Sequence, residues 1–312
     1  MDKLGTDWFK DVKNIRQTKE DLKEIAKNKD GNAFRSVVDF LCACLDCSTP
    51  QHLEAFKSVL RDNLVKWKDH EKEVCEILDK FRILEEKADG DNRWYNSRVD
   101  DAVRDLLERS KTCHKKIRPN VVNLLVFALN KGTETHLHLA KGMTWADGIR
   151  EMFNKANDAE AKSMLIAYFE MIKSETFDPN STVAIAVTSN LCQNLAECAK
   201  STENVKTLSE IINYCSEKEL YKEDQPDRET VYGMAIRVSL ANFLSKNMSN
   251  PEHLMLVMPG FIRLLGNEEV SEQMSLSSYV NMFLQQGEVL APHADPLLDT
   301  FINTDANEIA SQ

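Results

Sequence analysis

The sequence predicts an all-α protein, and three observations support that prediction. Apolar residues recur at three- and four-residue spacing along nearly the whole chain, which is the periodicity of amphipathic helices. Only 10 of the 312 residues are Gly and 8 are Pro, about half the usual share, so turn-rich β-sandwiches are disfavoured. We find no run with the alternation of a β-strand, and the pattern indicates about fifteen helices that form antiparallel hairpins.

Six helices are predicted in the first half of the chain, each by one apolar face. The third is expected to begin after Thr49, an N-cap residue, with Pro50 at its first position. The sixth is expected between Pro119 and Gly132. The six faces comprise Trp8, Val12, Ile15, Leu22 and Ile25; Phe34, Val37, Val38, Leu41 and Leu45; Leu53, Phe56, Leu60 and Leu64; Val74, Ile77, Leu78, Phe81 and Leu84; Val99, Val103, Leu106 and Leu107; and Val121, Val122, Leu125, Val126 and Leu129.

The second half continues the helical pattern. Thr144, followed by Asp147, has the spacing of a capping box and predicts the start of a helix. Further helices are expected from Asp158 and after Asp178, and the polar stretch 218–229 is expected to be an exposed loop. The apolar faces comprise Met152 and Phe153; Met164, Leu165, Tyr168, Phe169 and Ile172; Val183, Ile185, Val187, Leu191 and Leu195; Val205, Leu208, Ile211 and Ile212; and Val231, Met234, Ile236, Val238, Leu240 and Phe243.

A repeated unit is visible after Asn250. The segment PGFIRLLGNE from Pro259 aligns with PLLDTFINTD from Pro296, an offset of 37 residues, and periods of 20 to 50 residues are typical of solenoids. A helix that contains proline, a polar turn and a second helix resemble a HEAT repeat. We therefore expect a HEAT/armadillo-like α-solenoid, either one domain over residues 1–312 or two parts, 1–142 and 143–312.

The last repeat lacks a second helix after Ile302. A solenoid end normally carries a polar cap, so we expect the chain to be truncated within that repeat. A short capping helix with a frayed tail is the alternative.

The N-terminal residues are charged, with no apolar stretch of signal-peptide length. The most apolar run, 121–129, is far shorter than the roughly 20 residues of a membrane-spanning helix. We expect a cytoplasmic protein, with association at a membrane surface left open. In that compartment the eight cysteines are expected to be reduced, mostly buried thiols.

The charges are unevenly distributed. The chain has 39 Lys plus Arg and 50 Asp plus Glu, a net charge of −11; residues 1–150 carry +2 and residues 151–312 carry −13. This balance disfavours nucleic acid as the main partner, because binding the phosphate backbone needs many cations. The sharpest positive group, which we call the basic cluster, consists of Arg104, Arg109, Lys111, Lys115, Lys116 and Arg118, with His114 between them.

The basic cluster allows two interpretations. It could bind a phosphate, an anionic lipid headgroup or an acidic peptide. Alternatively, it is the solvated end of a helix, where cations interact favourably with the helix dipole.

No catalytic, cofactor or metal residue is predicted. Cys42, Cys44 and Cys47 lie close together with His52 nearby, but the second ligand pair of a zinc site is missing, so we expect a core helix lined by thiols. His136 and His138 are two apart, the wrong spacing for chelation on a helix, and one of them is expected to face solvent. Neither a phosphate loop nor a nucleophile elbow is present.

Two further C-terminal features are expected to have structural roles. His293 and Asp295 lie near no nucleophile motif, and Asp295 is expected to cap a helix that begins at Pro296. Several methionines after residue 247 are expected to fill core gaps, with an adaptable groove as the alternative.

The segments STENVKTLSEIINYCSEKELY, from Ser201, and PEHLMLVMPGFIRLLGNEEVSEQMSLSSYVNMF, from Pro251, resemble the helical-repeat region of the Melted family of PH-domain-containing signalling adaptors. The shared features are Thr202–Glu203, Cys215 before Glu217, Pro259, and the run Asn267, Met274 and Ser277. The resemblance implies an adaptor near membranes that binds phosphoinositides through a C-terminal PH domain and modulates insulin, TOR-type or TGF-β-type signalling. No site residue carries over, because the family's lipid-binding residues lie in the PH domain. A PH domain is built of strands, and this sequence predicts none.

The function expected from the sequence is a non-enzymatic protein-binding scaffold or adaptor of an intracellular signalling or membrane-associated complex. Protein partners are expected along a concave row of helices. The alternative is binding of an anionic membrane or of nucleic acid through the basic cluster. A third hypothesis is an enzyme whose active site has no recognisable motif.

Overall fold

A computed structural model of the chain describes residues 11–27, 31–47, 49–62, 67, 69–86, 93–178, 181–217, 243, 250–265 and 291. Every regular element within these ranges is helical and none is a strand, which confirms the all-α prediction. A short 3-10 turn, Val12–Asn14, precedes the first α-helix. The α-helices are α1 Ile15–Lys27, α2 Gly31–Cys47, α3 Pro50–Asp62, α4 Glu71–Glu86, α5 Arg93–Arg109, α6 Arg118–Lys131, α7 Glu134–Thr144, α8 Ile149–Lys155, α9 Asp158–Lys173, α10 Thr182–Cys198, α11 Thr202–Glu217 and α12 Pro251–Leu265.

Local sequence signals set several helix ends. Helix α3 begins at Pro50, as predicted, and the Thr49 hydroxyl accepts a hydrogen bond of 3.3 Å from the backbone N–H of His52. Helix α6 ends before Gly132, whose φ of 63° lies in the left-handed region that glycine adopts without strain. Its N–H donates to the carbonyl of Ala128 at 3.1 Å, closing the last turn of the helix.

One sequence prediction about a helix start is wrong. Thr144 does not cap a new helix but is the last residue of α7, where its hydroxyl donates 3.1 Å to the carbonyl of Lys141. The next helix begins at Ile149 instead. Three apolar residues, Met143, Ala146 and Ile149, are buried around the junction. Burial therefore keeps Thr144 in the last turn of α7 and delays the next helix to Ile149.

The described residues form two compact units. The first contains those up to Ala156 together with Glu170–Asp178 and Thr182–Val187, and the second contains the rest.

Alternate helices pack on one another in the first unit. Helices α1, α3, α5 and α7 contact each other in succession, and so do α2, α4 and α6. Helix α2 also packs on α3, and α6 on α7. The unit therefore contains two rows of helices, an odd row and an even row, that face each other.

Large aromatic side chains fill the space between the rows. Phe56 and Phe81 meet edge to face with ring centroids 5.5 Å apart, and Phe34 meets Trp67 in the same way at 5.0 Å. All four are buried. The indole N–H of Trp67 donates 3.3 Å to the carbonyl of Leu60, which satisfies the polar atom of this ring. Burying one such side chain contributes about 1.5–3 kcal/mol.

In the second unit, α9 contacts the alternate helix α11, and α11 packs on α12. Lys162 of α9 forms an ion pair of 2.6 Å with Glu203 of α11, and Ser209 of α11 donates 2.6 Å to the carbonyl of Leu256 on α12. Gly260 of α12 lies so close to α11 that an added Cβ would meet Ile212 at 2.8 Å.

Among the helices that the structure describes, none has both the length and the apolar character needed to cross a membrane. Several predictions lie outside the described residues. They concern the loop 218–229, the pair His293 and Asp295, the methionines beyond residue 265, and the repeat that ends after Ile302.

Candidate partner-binding surface

The turn between α5 and α6, residues 110–117, is held together by its own hydrogen bonds. The N–H of His114 donates 2.7 Å to the carbonyl of Lys111, and the N–H of Ile117 donates 3.0 Å to the carbonyl of His114. The imidazole Nδ1 of His114 accepts 3.2 Å from the N–H of Lys116. Lys111 has a φ of 47°, a conformation that side-chain-bearing residues rarely adopt. The backbone of this turn is therefore well defined.

The inner side of the turn packs against a second turn, residues 145–148, which joins α7 to α8. Ser110, Thr112 and Ile117 are fully buried. A Cβ on Gly148 would lie only 2.4 Å from the hydroxyl oxygen of Thr112, so the two turns are in direct contact. Among the described residues, the hydroxyl oxygens of Ser110 and Thr112 have no hydrogen-bond partner.

The structure brings the basic cluster together only in part. Arg109, Lys111, Lys115 and Lys116 are exposed at the end of α5 and on the turn, and Arg118 is half-buried at the start of α6. The sixth member, Arg104, lies within α5, where it faces Asp101 at 3.6 Å and Glu108 at 3.7 Å. Arg104 therefore belongs to the ion pairs of the helix, and the rest of the cluster lies on the turn and on the two helix ends that flank it.

A carboxylate at the start of α4 lies beside these cations. Glu71 Oε1 is 3.4 Å from His114 Nε2. A hydrogen bond from its own backbone N–H lowers the pKa of Glu71, and the nearby Lys116, His114 and Lys111 lower it further. The carboxylate is thus ionised and offsets part of the positive charge of the turn.

A thiol at the same turn is not activated. Burial raises the pKa of Cys113, and a hydrogen bond to Glu151 raises it further. Glu151 is itself paired with Lys155 at 2.6 Å, which lowers the pKa of the carboxylate. Because a nucleophilic cysteine needs a stabilised thiolate, this arrangement favours a neutral thiol.

The second turn carries an exposed indole. Trp145 is 47% exposed, and Lys141 Nζ lies 4.8 Å from its ring centroid, within cation–π distance. Lys141 also forms an ion pair of 3.0 Å with Asp100 of α5. The indole thus rests on a lysine that the neighbouring helix holds in place. We call Arg109, Lys111, Lys115, Lys116 and Trp145 the basic–aromatic surface.

Trp145 was not among the residues that the sequence predicted to bind a partner. The available signal was local: Lys141 and Trp145 are four residues apart, so a helix places them on one face.

The predicted thiol helix lies in the core. Cys42 and Cys44 are buried in α2, and Cys47 is half-buried. Burial raises the pKa of the Cys42 thiol to about 12, and the neighbouring Glu76 adds to that rise. His52 is buried at the start of α3, where its Nδ1 and the Thr49 hydroxyl are 2.6 Å apart. No group of three or more His, Cys, Asp or Glu within the described ranges could hold a metal ion.

The prediction that His136 or His138 faces solvent is wrong. His136 is buried at the start of α7, with its Nδ1 2.6 Å from the hydroxyl of Thr133. His138 is half-buried, and its Nδ1 is 3.5 Å from Asp100 Oδ2. Packing of α7 on both α5 and α6 covers both faces of this helix, which the spacing of two histidines alone does not indicate.

The arrangement can therefore offer cations and one aromatic ring to a partner, on two turns with firm internal contacts.

No known protein-family model matches this sequence, and neither a curated protein nor a solved structure does.

Proposed function

We propose that the protein is a non-enzymatic scaffold or adaptor that binds other proteins and is built as a HEAT/armadillo-like α-solenoid. One observation carries this proposal: neighbouring helices contact one another through side-chain pairs 34 to 51 residues apart, and several of these pairs are 41 or 44 residues apart. Solenoids of this kind stack units of about 40–47 residues, and their function is to present an extended surface.

The separation recurs in both rows and in both units. Arg35 and Glu76, in the even row, are 41 residues apart. Arg61 and Asp105, in the odd row, are 44 apart. Lys162 and Glu203, in the second unit, are again 41 apart. A bundle without repeats has no reason to concentrate its interhelical pairs near one sequence separation.

The starts of helices repeat as well. Thr49 caps α3 in the segment TPQHL, and Thr133 precedes α7 in the segment TETHL, 84 residues later, or about two periods of 42. In both segments the threonine hydroxyl lies 2.6 Å from the histidine Nδ1. A related segment, NPEHL, opens α12, where Asn250 accepts 3.3 Å from the N–H of His253. A similar residue pattern therefore recurs at the starts of three helices.

The proposal places the protein in the cytoplasm, in a signalling or membrane-associated complex, with the partner lying along one row of helices. It uses no cofactor. The resemblance to the Melted adaptors supports a role of this kind near membranes.

Two measurements test the proposal. Small-angle X-ray scattering should give a radius of gyration well above the roughly 20 Å of a compact 312-residue domain; a value near 20 Å would contradict the solenoid. A protein recovered from cell extract should then rebind in purified form and protect amide hydrogens on successive helices of one row. If no purified protein rebinds, the scaffold function is wrong.

The exposed cations of the α5–α6 turn favour a second candidate, binding of an anionic membrane. Vesicles containing phosphatidylserine should then retain the protein at 50 mM salt and release it at 500 mM, because attraction between surface charges is screened by salt. Duplex DNA in place of the vesicles tests the nucleic-acid alternative in the same way. If the protein binds neither the vesicles nor the DNA at 50 mM salt, this candidate function is excluded.

A further inference from the structure

We propose that the basic–aromatic surface binds an acidic peptide segment that carries one apolar side chain. This inference rests on the proposed scaffold function and names the class of partner that one part of the scaffold takes. Three features of the surface support it: an indole held by its neighbours, a turn with exposed lysines, and the small net charge around them.

Trp145 stands out among the described side chains. Within the described ranges, the large apolar residues with exposed side chains are Trp145 and Ile166, which is 41% exposed. Tryptophan is enriched among residues that dominate binding energy, because a rigid ring buries a large area at low entropic cost. An exposed tryptophan on an otherwise polar surface therefore points to a contact with a partner.

The indole is preorganised by its surroundings. Lys141 lies under the ring and is held by Asp100. One residue further along α7, Gly142 is so close to α5 that a Cβ there would lie 2.5 Å from the carbonyl oxygen of Asp100. The helix that carries Trp145 thus cannot shift easily against its neighbour, and little freedom remains to be lost on binding.

The lysines lie on the neighbouring turn. Thr112 and Gly148 join the two turns directly. Lys115 and Arg109 form no ion pair with any described residue, and the side chains of both are exposed. Carboxylates of a peptide could meet these cations one by one while an apolar side chain of the same peptide covers the indole.

The charge balance favours a peptide over a membrane. Glu71 contacts His114 and Asp147 lies on the second turn, whereas Glu108 and Glu151 are engaged by Arg104 and Lys155. The two turns therefore carry only a small net positive charge. A membrane responds to this summed charge, and stable attachment to it normally needs two strong signals. One indole and a small net charge are two weak signals, whereas a peptide can address single lysines.

The experiment selects peptides from a random 12-residue library displayed on phage, with the full chain as bait. Selected peptides should be rich in Asp and Glu and carry an apolar residue. One of them, synthesised with a fluorescent label, is titrated by anisotropy against the protein and its variants. W145A should weaken binding at least tenfold, and W145F less than W145A. The double variant K115E/K116E should weaken binding at least tenfold and reduce its dependence on salt.

Two controls match these changes. I166A removes the other exposed apolar side chain, and K131E reverses an exposed lysine at the far end of α6; neither should change the affinity more than twofold. Circular dichroism confirms that each variant is folded.

The remaining outcomes separate this inference from the scaffold function. Peptides that lack acidic enrichment, or that bind W145A and K115E/K116E normally, overturn the inference and leave the scaffold function intact. If the library yields no peptide that binds the full chain, the inference is wrong, and the rebinding experiment decides the scaffold function separately. If K115E/K116E weakens binding to phosphatidylserine vesicles but not to the selected peptide, the surface is a membrane site and the inference is wrong.

Discussion

Arg35 of α2 donates two hydrogen bonds of 2.7 Å to the two carboxylate oxygens of Glu76 on α4. This bidentate pair joins neighbouring helices of the even row, and Asp39 contacts the same guanidinium at 2.6 Å. Hydrogen bonding by Arg35 lowers the pKa of Glu76. The pair therefore contributes fully to stability at pH values at which the Glu76 carboxylate is ionised in both the folded and the unfolded chain.

A double-mutant cycle with R35Q and E76Q should give a coupling free energy of about 0.5–1 kcal/mol at pH 7, because the pair is partly exposed. Since the folded pKa is lowered, the contribution is present above the unfolded value of about 4.3 and is lost as pH falls through the folded value. Urea unfolding at pH 7 and pH 2 measures this. A coupling that persists unchanged at pH 2 would contradict the assignment.

Gly142→Ala should destabilise the protein, although alanine is normally the better helix former by about 1 kcal/mol. The added Cβ would lie 2.5 Å from the carbonyl oxygen of Asp100, and a backbone atom cannot rotate away. We expect a loss of about 1–3 kcal/mol in the free energy of unfolding, the usual cost of overpacking.

Gly260→Ala is the matched control for this change. Its Cβ would meet only side-chain atoms, Asn213 Oδ1 and Ile212 Cγ2, each at 2.8 Å. Because side chains can rotate, its cost should be clearly smaller in the same urea titration. If G142A is as stable as the wild type, α5 and α7 are not as close as described.

Thr49→Ala should cost about 1 kcal/mol of stability, because it removes an N-cap. The Thr49 hydroxyl is bonded to both the backbone N–H and the ring of His52. Ser181 precedes α10 but makes no side-chain capping bond, so Ser181→Ala should leave the unfolding midpoint almost unchanged. If Thr49→Ala also leaves the unfolding midpoint unchanged, the cap at α3 contributes nothing to stability.

Cysteine alkylation should follow burial. With iodoacetamide at pH 8, the half-buried Cys47, Cys75 and Cys113 should be modified before Cys42 and Cys44. Burial is the main cause of the raised pKa of Cys42, and Glu76 is secondary, so E76Q should leave Cys42 protected. Mass spectrometry of timed samples measures the order. Labelling in guanidinium chloride, where all thiols react, is the control, and early labelling of Cys42 would refute the prediction.

The apolar pattern predicted much of the fold. All five residues assigned to the second face, from Phe34 to Leu45, are buried in α2, because the pattern repeats at the helical period. The start at Pro50 and the end at Gly132 were predictable for a different reason. The backbone restrictions of proline and glycine act locally and do not depend on tertiary contacts.

Contacts between distant surface residues could not be predicted in this way. Arg35 and Glu76 are both ordinary charged residues on exposed faces, and their pairing depends on which helices become neighbours. The basic cluster was similarly predicted as one group from sequence proximity alone. Arg104 lies five residues before Arg109, yet it interacts with Asp101 and Glu108 of its own helix.

The short sequence separation of the interhelical pairs has a consequence for cooperativity. Lys80 and Asp46 are 34 residues apart, and Thr202 and His253 are 51 apart. Both separations are short compared with the 312 residues of the chain. A chain held by neighbour contacts can open from one end without breaking the contacts at the other. A partner that spans several helices would act as a clamp, since its release would become coupled to the opening of every helix that it touches.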